Sequence, residues 1–334
     1  MKRFYAVIIG LSFALVSFGQ YETIDTYVKT ITFKKSDGIP EIAAKITAKS
    51  NTDKEKLRAI FAWIAHNIEY DVRSFMTGRI PKSEPMDVVQ SGKGVCQGYA
   101  NLFEAMSQAV GIEAYVVSGF SKGYGYSDRK RLDNSDHAWN AVNLSGEWYL
   151  LDPTWGAGHL NEKGKYVSSM QEKYFLAKPA FFVTEHLPED PAFQMLPCPI
   201  TPEEFLKDST EVFKIAKNKK ACYSYVDTLN SYSKLDSVLQ KVATAMRMYR
   251  YYPENTYMPA ILINQAAYHY SVNLNDTKLD LKTKMELARK SLKYYQMAEN
   301  IIKKNRKPEG RQLYDMVKKN ISNVERFIDF YKDK

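Results

Sequence analysis

Gly92-Lys-Gly-Val-Cys96 sets two glycines just ahead of a cysteine, and a helical apolar rhythm follows it. Ala100, Leu102, Phe103, Met106 and Val110 recur at near-helical spacing until Gly111, which predicts a helix from about Cys96 to Ala109. Cys96 would then sit in the first turn, where unpaired backbone N–H groups point outward and the helix dipole favours an anion. Cysteines at such positions, or beside a histidine, ionise more readily than free ones. The same N–H groups can hold an oxyanion, and losing one such donor typically costs about 2.7–4 kcal/mol of barrier height. Taken alone, Cys96 reads equally as a small buried hydrophobe.

Further on, 137–143 and 147–151 are strand-like runs flanking Ser145-Gly146, a two-residue hairpin loop. With that loop, paired residue numbers sum to 291, so Trp139 faces Asp152 and His137 is its diagonal neighbour. Positions 137, 139, 150, 152 and 154 share one face. Asp152 can then accept a proton from one ring nitrogen of His137 and leave the other for Cys96. A three-residue loop would put the two on opposite faces. A lone histidine in a strand is usually packing, and a lone Asp-Pro is usually a turn. A helix-start thiol, a strand histidine and a next-strand aspartate in this order point to nucleophilic chemistry on amide carbonyls through a thioester.

These residues resemble the transglutaminase-like superfamily, whose core is papain-like. The resemblance is carried by Gly94-Val-Cys-Gln-Gly-Tyr-Ala-Asn-Leu-Phe, Gly111-Ile-Glu-Ala-Tyr-Val-Val-Ser-Gly, His137-Ala-Trp-Asn and Trp148-Tyr-Leu-Leu-Asp-Pro-Thr-Trp. The stretches Phe61-Ala-Trp-Ile-Ala-His-Asn-Ile-Glu-Tyr-Asp and His186-Leu-Pro-Glu-Asp-Pro-Ala-Phe-Gln-Met-Leu also fit, so it covers roughly residues 50–200. It implies Cys96 as nucleophile, His137 as general base and acid, and Asp152 as the orienting carboxylate. It also implies an α+β core, with the cysteine helix packed on an antiparallel sheet. Members include peptidases, amidases and acyl-transferring cross-linkers, and some have lost the triad and serve as scaffolds. Gln90, six residues before Cys96, stands at the papain-like offset for an oxyanion glutamine, or merely ends a short helix over 85–90. Gln97 and Tyr99 flank the thiol on its helix. Trp139 and Trp155 would wall the cleft or fill the core. His66 reads as a structural histidine on an apolar helix face. His159, His186 and Cys198 lack metal-ligand spacing, and no Asp-x-Asp-x-Asp-Gly loop is present. No metal and no cofactor are expected.

Met1-Lys-Arg precedes an apolar run from Phe4 to Phe18, with small residues at −3 and −1 if cleavage follows Gly19. The run falls short of the roughly 20 residues of a membrane helix. The expectation is a signal peptide over 1–19 and a product that is periplasmic or secreted, without stable membrane insertion. With Cys96 kept as a thiol, Cys198 and Cys222 remain as candidates for a disulfide, with nothing local to prove it.

Charge divides the chain of 334 residues unevenly: 20–199 carries a net −2 and 200–334 a net +9. The basic part favours anionic surfaces or simply solvated helix faces, and no nucleic-acid motif is present. Thr52-Asp-Lys-Glu55 opens a helix to about Ile68, Arg73–Glu84 reads as loop, and Ile112–Ser118 as a strand. The long Phe120–Asp136 loop, placed directly before the histidine, is expected to shape a substrate cleft. A Pro-rich hinge at 188–202 separates a catalytic domain (20–199) from a helical C-terminal domain (200–334). Leu281, Met285, Ala288, Leu292, Tyr295, Ala298 and Ile302 mark an amphipathic helix, and similar segments cover about 203–219, 223–251, 257–272 and 309–331. Thirteen tyrosines fall after residue 199, as packing surface or as an aromatic groove. The expected activity is a thiol enzyme acting on protein or peptide substrates, cell-wall peptides among them. The rival is a non-catalytic binding scaffold that uses the basic tail; the oligomeric state is left open.

Overall fold

The computed structural model describes residues 21–79, 81–124, 126, 132 and 135–332. The expected signal peptide and part of the 120–136 loop lie outside them. Among the described residues no helix is long and apolar enough to cross a membrane. The chain divides into two compact units, the first ending at Leu187 and the second beginning at Pro188 and including Leu132.

The first unit opens with helices α1 (Glu22–Val28), α2 (Ile39–Ile46) and α3 (Asp53–Asn67). Thr52 caps α3 through the expected capping box, accepting from Glu55 N while Glu55 reaches back to Thr52 N. Arg58, 2 % exposed, forks from α3 onto Asp25 and Glu172 and so ties α1 to the turn at 172–174. Short strand β1 (Glu69–Tyr70) follows, then helix α4 (Val72–Thr77) where the sequence reads as loop. The helix forms because Asp71 caps it, accepting from Ser74 N, and Gly78 ends it at φ 63°.

Next come α5 (Pro85–Ser91), β2 (Lys93–Gly94) and α6 (Cys96–Ala109), the last with the expected limits. Gly111, at φ 81°, takes the left-handed position just past the end of α6. Strands β3 (Ala114–Ser121), β4 (His137–Leu144), β5 (Glu147–Leu151) and β8 (His186–Pro188) form one sheet in the order β5-β4-β3-β8. Strand β3 starts two residues later than the sequence expectation and ends three residues later. Between β5 and β8 lie α7 (Pro153–Ala157), the hairpin β6 (Gly158–Leu160) and β7 (Tyr166–Ser168), and α8 (Pro179–Phe182). The β4–β5 register is Asn140↔Leu151 through Leu144↔Glu147, the register of a two-residue loop. Ser145 and Gly146 both have positive φ, at 55° and 94°, as a type I′ turn requires.

The second unit is helical: α9 (Pro202–Phe205), α10 (Ser209–Asn218), α11 (Tyr225–Tyr232), α12 (Ser237–Tyr251), α13 (Tyr257–Val272), α14 (Leu281–Ile302) and α15 (Pro308–Tyr331). Two segments read as continuous are broken. Asp208 and Asp236 each accept two backbone N–H groups and start a new helix, at α10 and α12. Cys198 and Cys222 form a disulfide, with Cα atoms 5.0 Å apart. The core of the last helices includes Ala245, Ala260, Ala267, Ala288, Ala298 and Tyr295, so tyrosine serves packing there.

Candidate active site

The backbone delivers Cys96 to its place before any side chain acts. β1 pairs with β2 in parallel, Glu69↔Lys93 and Tyr70↔Gly94, and Asp71 N donates to Gly94 O at 2.9 Å. That bridge fixes the residues leading into α6. Val95 caps the helix through its carbonyl, which accepts from Gly98 N and Tyr99 N. The N–H groups of Cys96 and Gln97 therefore occupy the first turn, with no acceptor inside the helix. Cys96 is partly exposed and is a free thiol.

Asn140 pins this helix to the histidine strand. Fully buried on β4, it donates through Nδ2 to Ala100 O of α6 at 3.0 Å and to Tyr115 O of β3 at 3.3 Å. Three residues earlier on β4, His137 is 8 % exposed, and its Nε2 stands 2.7 Å from Asp152 Oδ2. Cys96 is near enough to the same ring to raise the pKa of His137. With Nε2 held by the carboxylate, Nδ1 is the nitrogen left for sulfur. Burial opposes charge on His137, but the Asp152 carboxylate, its hydrogen bond and the thiol outweigh it and push its pKa up to about 10.

Asp152 works on both of its oxygens. It is the N-cap of α7, with Pro153 at the first helical position, and Oδ1 accepts from Thr154 N at 2.8 Å and Trp155 N at 3.1 Å. Oδ2 takes His137 and also His186 Nε2, at 3.0 Å. Asp-Pro is thus both a turn signal and the anchor of the imidazole. Burial raises the cost of the charge, but the two imidazoles hold the carboxyl well below its ordinary range. An ionised Oδ2 can only accept, so both Nε2 atoms carry protons.

His186, on β8, is a partner of Asp152 that the sequence does not assign to the site. It is fully buried, stacked on Phe182 (centroids 4.1 Å, 17°) and close to Trp155 at 4.4 Å. Burial keeps it neutral, pushing its pKa down. Its Nδ1 has no hydrogen-bond partner among the described residues. The one available signal was its place at the head of a segment that carries the family resemblance. His137, Asp152 and His186 are metal-ligating in type, with ligand atoms within 4.8 Å of one another. As bonded here, both Nε2 lone pairs are taken up by N–H bonds directed at the carboxylate, which does not suit a cation.

The remaining candidates separate. Trp139 is fully buried against His137, His186 and Phe182. Tyr99 is core, its hydroxyl donating to Ile68 O at 2.6 Å. Gln97 spends its amide along the helix on Asn101 Oδ1 at 2.7 Å. Gln90 is exposed near the end of α5. Trp155 lies over the His137 ring at 5.2 Å and lines a cavity of about 500 Å³. Lys122, Gly123, Tyr124, Tyr126 and Asp136, from the loop expected to shape a cleft, also line it.

Residues 40–153 match the sequence model of the transglutaminase-like superfamily. The chain carries a transglutaminase-like domain. Kyphoscoliosis peptidase of Homo sapiens is 37 % identical over 188 residues, covering 56 % of this chain and 28 % of that protein. Hillarin of Drosophila melanogaster is 28 % identical over 205 residues, covering 56 % and 24 %. The chain therefore spans under a third of the length of these relatives. Among solved structures, a proposed cysteine protease from Cytophaga hutchinsonii aligns at 24 % identity and TM-score 0.28, covering 45 % of this chain and 46 % of that one. That likeness carries no argument about activity. Transglutaminase-like domains are generally those of thiol proteases and acyltransferases, and the transglutaminase-like fold here joins an antiparallel sheet and helices to a helical C-terminal region.

Proposed function

We propose that this protein is a thiol enzyme that opens amide bonds of peptides or proteins through a thioester on Cys96. The observation that supports it is the buried His137–Asp152 hydrogen bond, with Cys96 near the same ring in the first turn of a helix. The thiol proton resides on Nδ1 of His137, which its neighbours keep charged at neutral pH, and Sγ bonds to the carbonyl carbon. The negative oxygen is met by the N–H groups of Cys96 and Gln97. The C–N bond then breaks, with the proton passing from His137 to the leaving nitrogen. Water, deprotonated by the same nitrogen, attacks the thioester, and sulfur leaves with that proton. An amine in place of water completes acyl transfer instead. Hydrolysis is the favoured outcome, because no amine-donor site is identified and the human and mouse relatives are named peptidases. Asp152 keeps the ring in the tautomer that presents Nδ1 to sulfur, and His186 holds Asp152 from behind.

Export through the N-terminal apolar run, and action on peptides outside the cytoplasm, belong to the same proposal. The Cys198–Cys222 bridge supports an oxidising compartment. The reading is tested by mixing the protein with a peptide p-nitrophenyl ester and sequencing the acylated peptide by mass spectrometry. A stoichiometric acyl group on Cys96, lost in His137→Ala, is expected; acylation elsewhere or none contradicts the assignment.

A further inference from the structure

The cavity beside His137 has a composition that the triad does not require. One wall is a chain of rings: Tyr166 to Tyr70 at 6.4 Å, Tyr70 to Phe75 at 5.8 Å, and Phe75 to Tyr124 at 6.4 Å. Another is Trp155, with Tyr174 edge-on to it at 5.5 Å. Gly123 lies against Trp155 so closely that a Cβ there would fall 2.8 Å from Cζ2. At the rim, Phe75 and Tyr124 are 40 % and 49 % exposed, more apolar surface than isolated rings need leave in water.

The charged groups in the wall are already engaged. Asp136 accepts from Ser121 N and Oγ, Lys173 lies 3.6 Å from Glu185 and over the Tyr174 ring, and Lys122 lies over Tyr126. Beside Thr154, His159 and Gln171, what the cavity chiefly offers a ligand is ring surface. Its volume of about 500 Å³ falls within the range of small-ligand sites. Among the described residues its wall includes His137 but not Cys96, so it opens on the imidazole side of the nucleophile. That is the side on which a departing or incoming nitrogen must meet His137.

We propose that this cavity is a specificity pocket for a large apolar side chain, aromatic above all, on the residue that supplies the nitrogen of the attacked amide. The proposal rests on the assignment of His137 as the group that exchanges the proton with that nitrogen. It names the substrate class: peptides with Phe, Tyr, Trp or Leu immediately after the scissile bond. In acyl transfer the same pocket selects the amine. The thioester carbon bonds to nitrogen, sulfur leaves, and the nitrogen's proton passes through His137 to the thiolate.

Two readouts keep this separate from the catalytic reading. In full-length Cys96→Ala protein, calorimetric titration with N-acetyl-Gly-Phe-amide should give a Kd roughly 10- to 100-fold below that of N-acetyl-Gly-Gly-amide, as expected for burying one aromatic side chain. N-acetyl-Phe-Gly-amide and N-acetyl-Gly-Glu-amide should gain less than threefold. Tyr124→Ala or Phe75→Ala, each at the exposed rim, should cut the selectivity severalfold. In the unsubstituted protein acylated with p-nitrophenyl acetate, phenylalaninamide should speed deacylation more than glycinamide does. Equal binding of the Phe and Gly peptides, or tighter binding of the Phe-Gly isomer, overturns the pocket assignment even if Cys96 acylates. Failure to acylate with binding selectivity intact would strike the catalytic reading and leave the pocket standing.

Discussion

The two units of this chain bury very different things. The first buries polar groups that hold one another across long stretches of sequence: Asp152 under two imidazoles and two N–H groups, Asn140 between a helix and a strand, Arg58 on two carboxylates. The second holds Gln194 on Ile200 and Tyr251 and Asp190 under Arg247, but its helical core from α12 onward is mainly alanines and branched apolar residues. A buried polar group is costly unless every partner is in place. A small-residue helical core tolerates change, because any apolar side chain of suitable size serves. The lesson is that geometry is over-specified where chemistry is proposed and generic elsewhere. Substitutions should therefore divide by unit in both kind and size of effect.

Asp152→Asn should show the largest effect. The amide oxygen can still cap α7, but an NH₂ now meets the two imidazole N–H groups and forces the wrong tautomer on His137. A fall in kcat/KM of about 10³- to 10⁴-fold is expected, by analogy with the same change in serine triads. The sign of the pH effect is fixed as well. His137 is raised from 6.5 to about 10 by its neighbours, so the alkaline limb of the rate profile should lie far above neutrality and fall toward 6.5 in the variant. The stability that the pair supplies is complete below pH 6.5 and lost as pH rises through about 10. The gap in Tm between parent and variant should close over that interval.

His186→Phe should cost less, about tenfold in kcat/KM, because the ring acts on His137 only through Asp152. With one donor removed from Oδ2, the carboxylate is freer to stabilise the imidazolium, so the alkaline limb moves up. His186→Gln, which restores an N–H, should bring the limb back. A merely structural role would leave the limb where it was. Smallest for activity is the paired change Cys198→Ser with Cys222→Ser. It should remove about 3 kcal/mol from the second unit, as expected for opening a loop of 24 residues, and change kcat/KM less than twofold. Calorimetry with the rate assay checks both halves.

Much of the site is legible because its signals are local. Two glycines and an apolar period fix α6, and Ser145-Gly146 fixes the hairpin register that brings His137 toward Asp152. What stayed hidden is carried by distance in sequence. His186 meets Asp152 from 34 residues away, on a strand of three residues with no period to read. Asn140 was visible only as part of a motif, since nothing in a strand pattern tells which polar residue faces a helix. Helix α4 and the breaks at Asp208 and Asp236 were missed for another reason: a single capping side chain decides them against the background of composition. Cap chemistry outweighed periodicity at each of these places.

The central claim is that sulfur, imidazole and carboxylate act as one unit, and the reactivity of Cys96 with and without the imidazole measures it most directly. Second-order rates with iodoacetamide at about pH 7, followed by mass spectrometry of the Cys96 peptide, should be at least roughly tenfold higher in the parent protein than in His137→Ala. Equal rates in the two proteins would contradict the account.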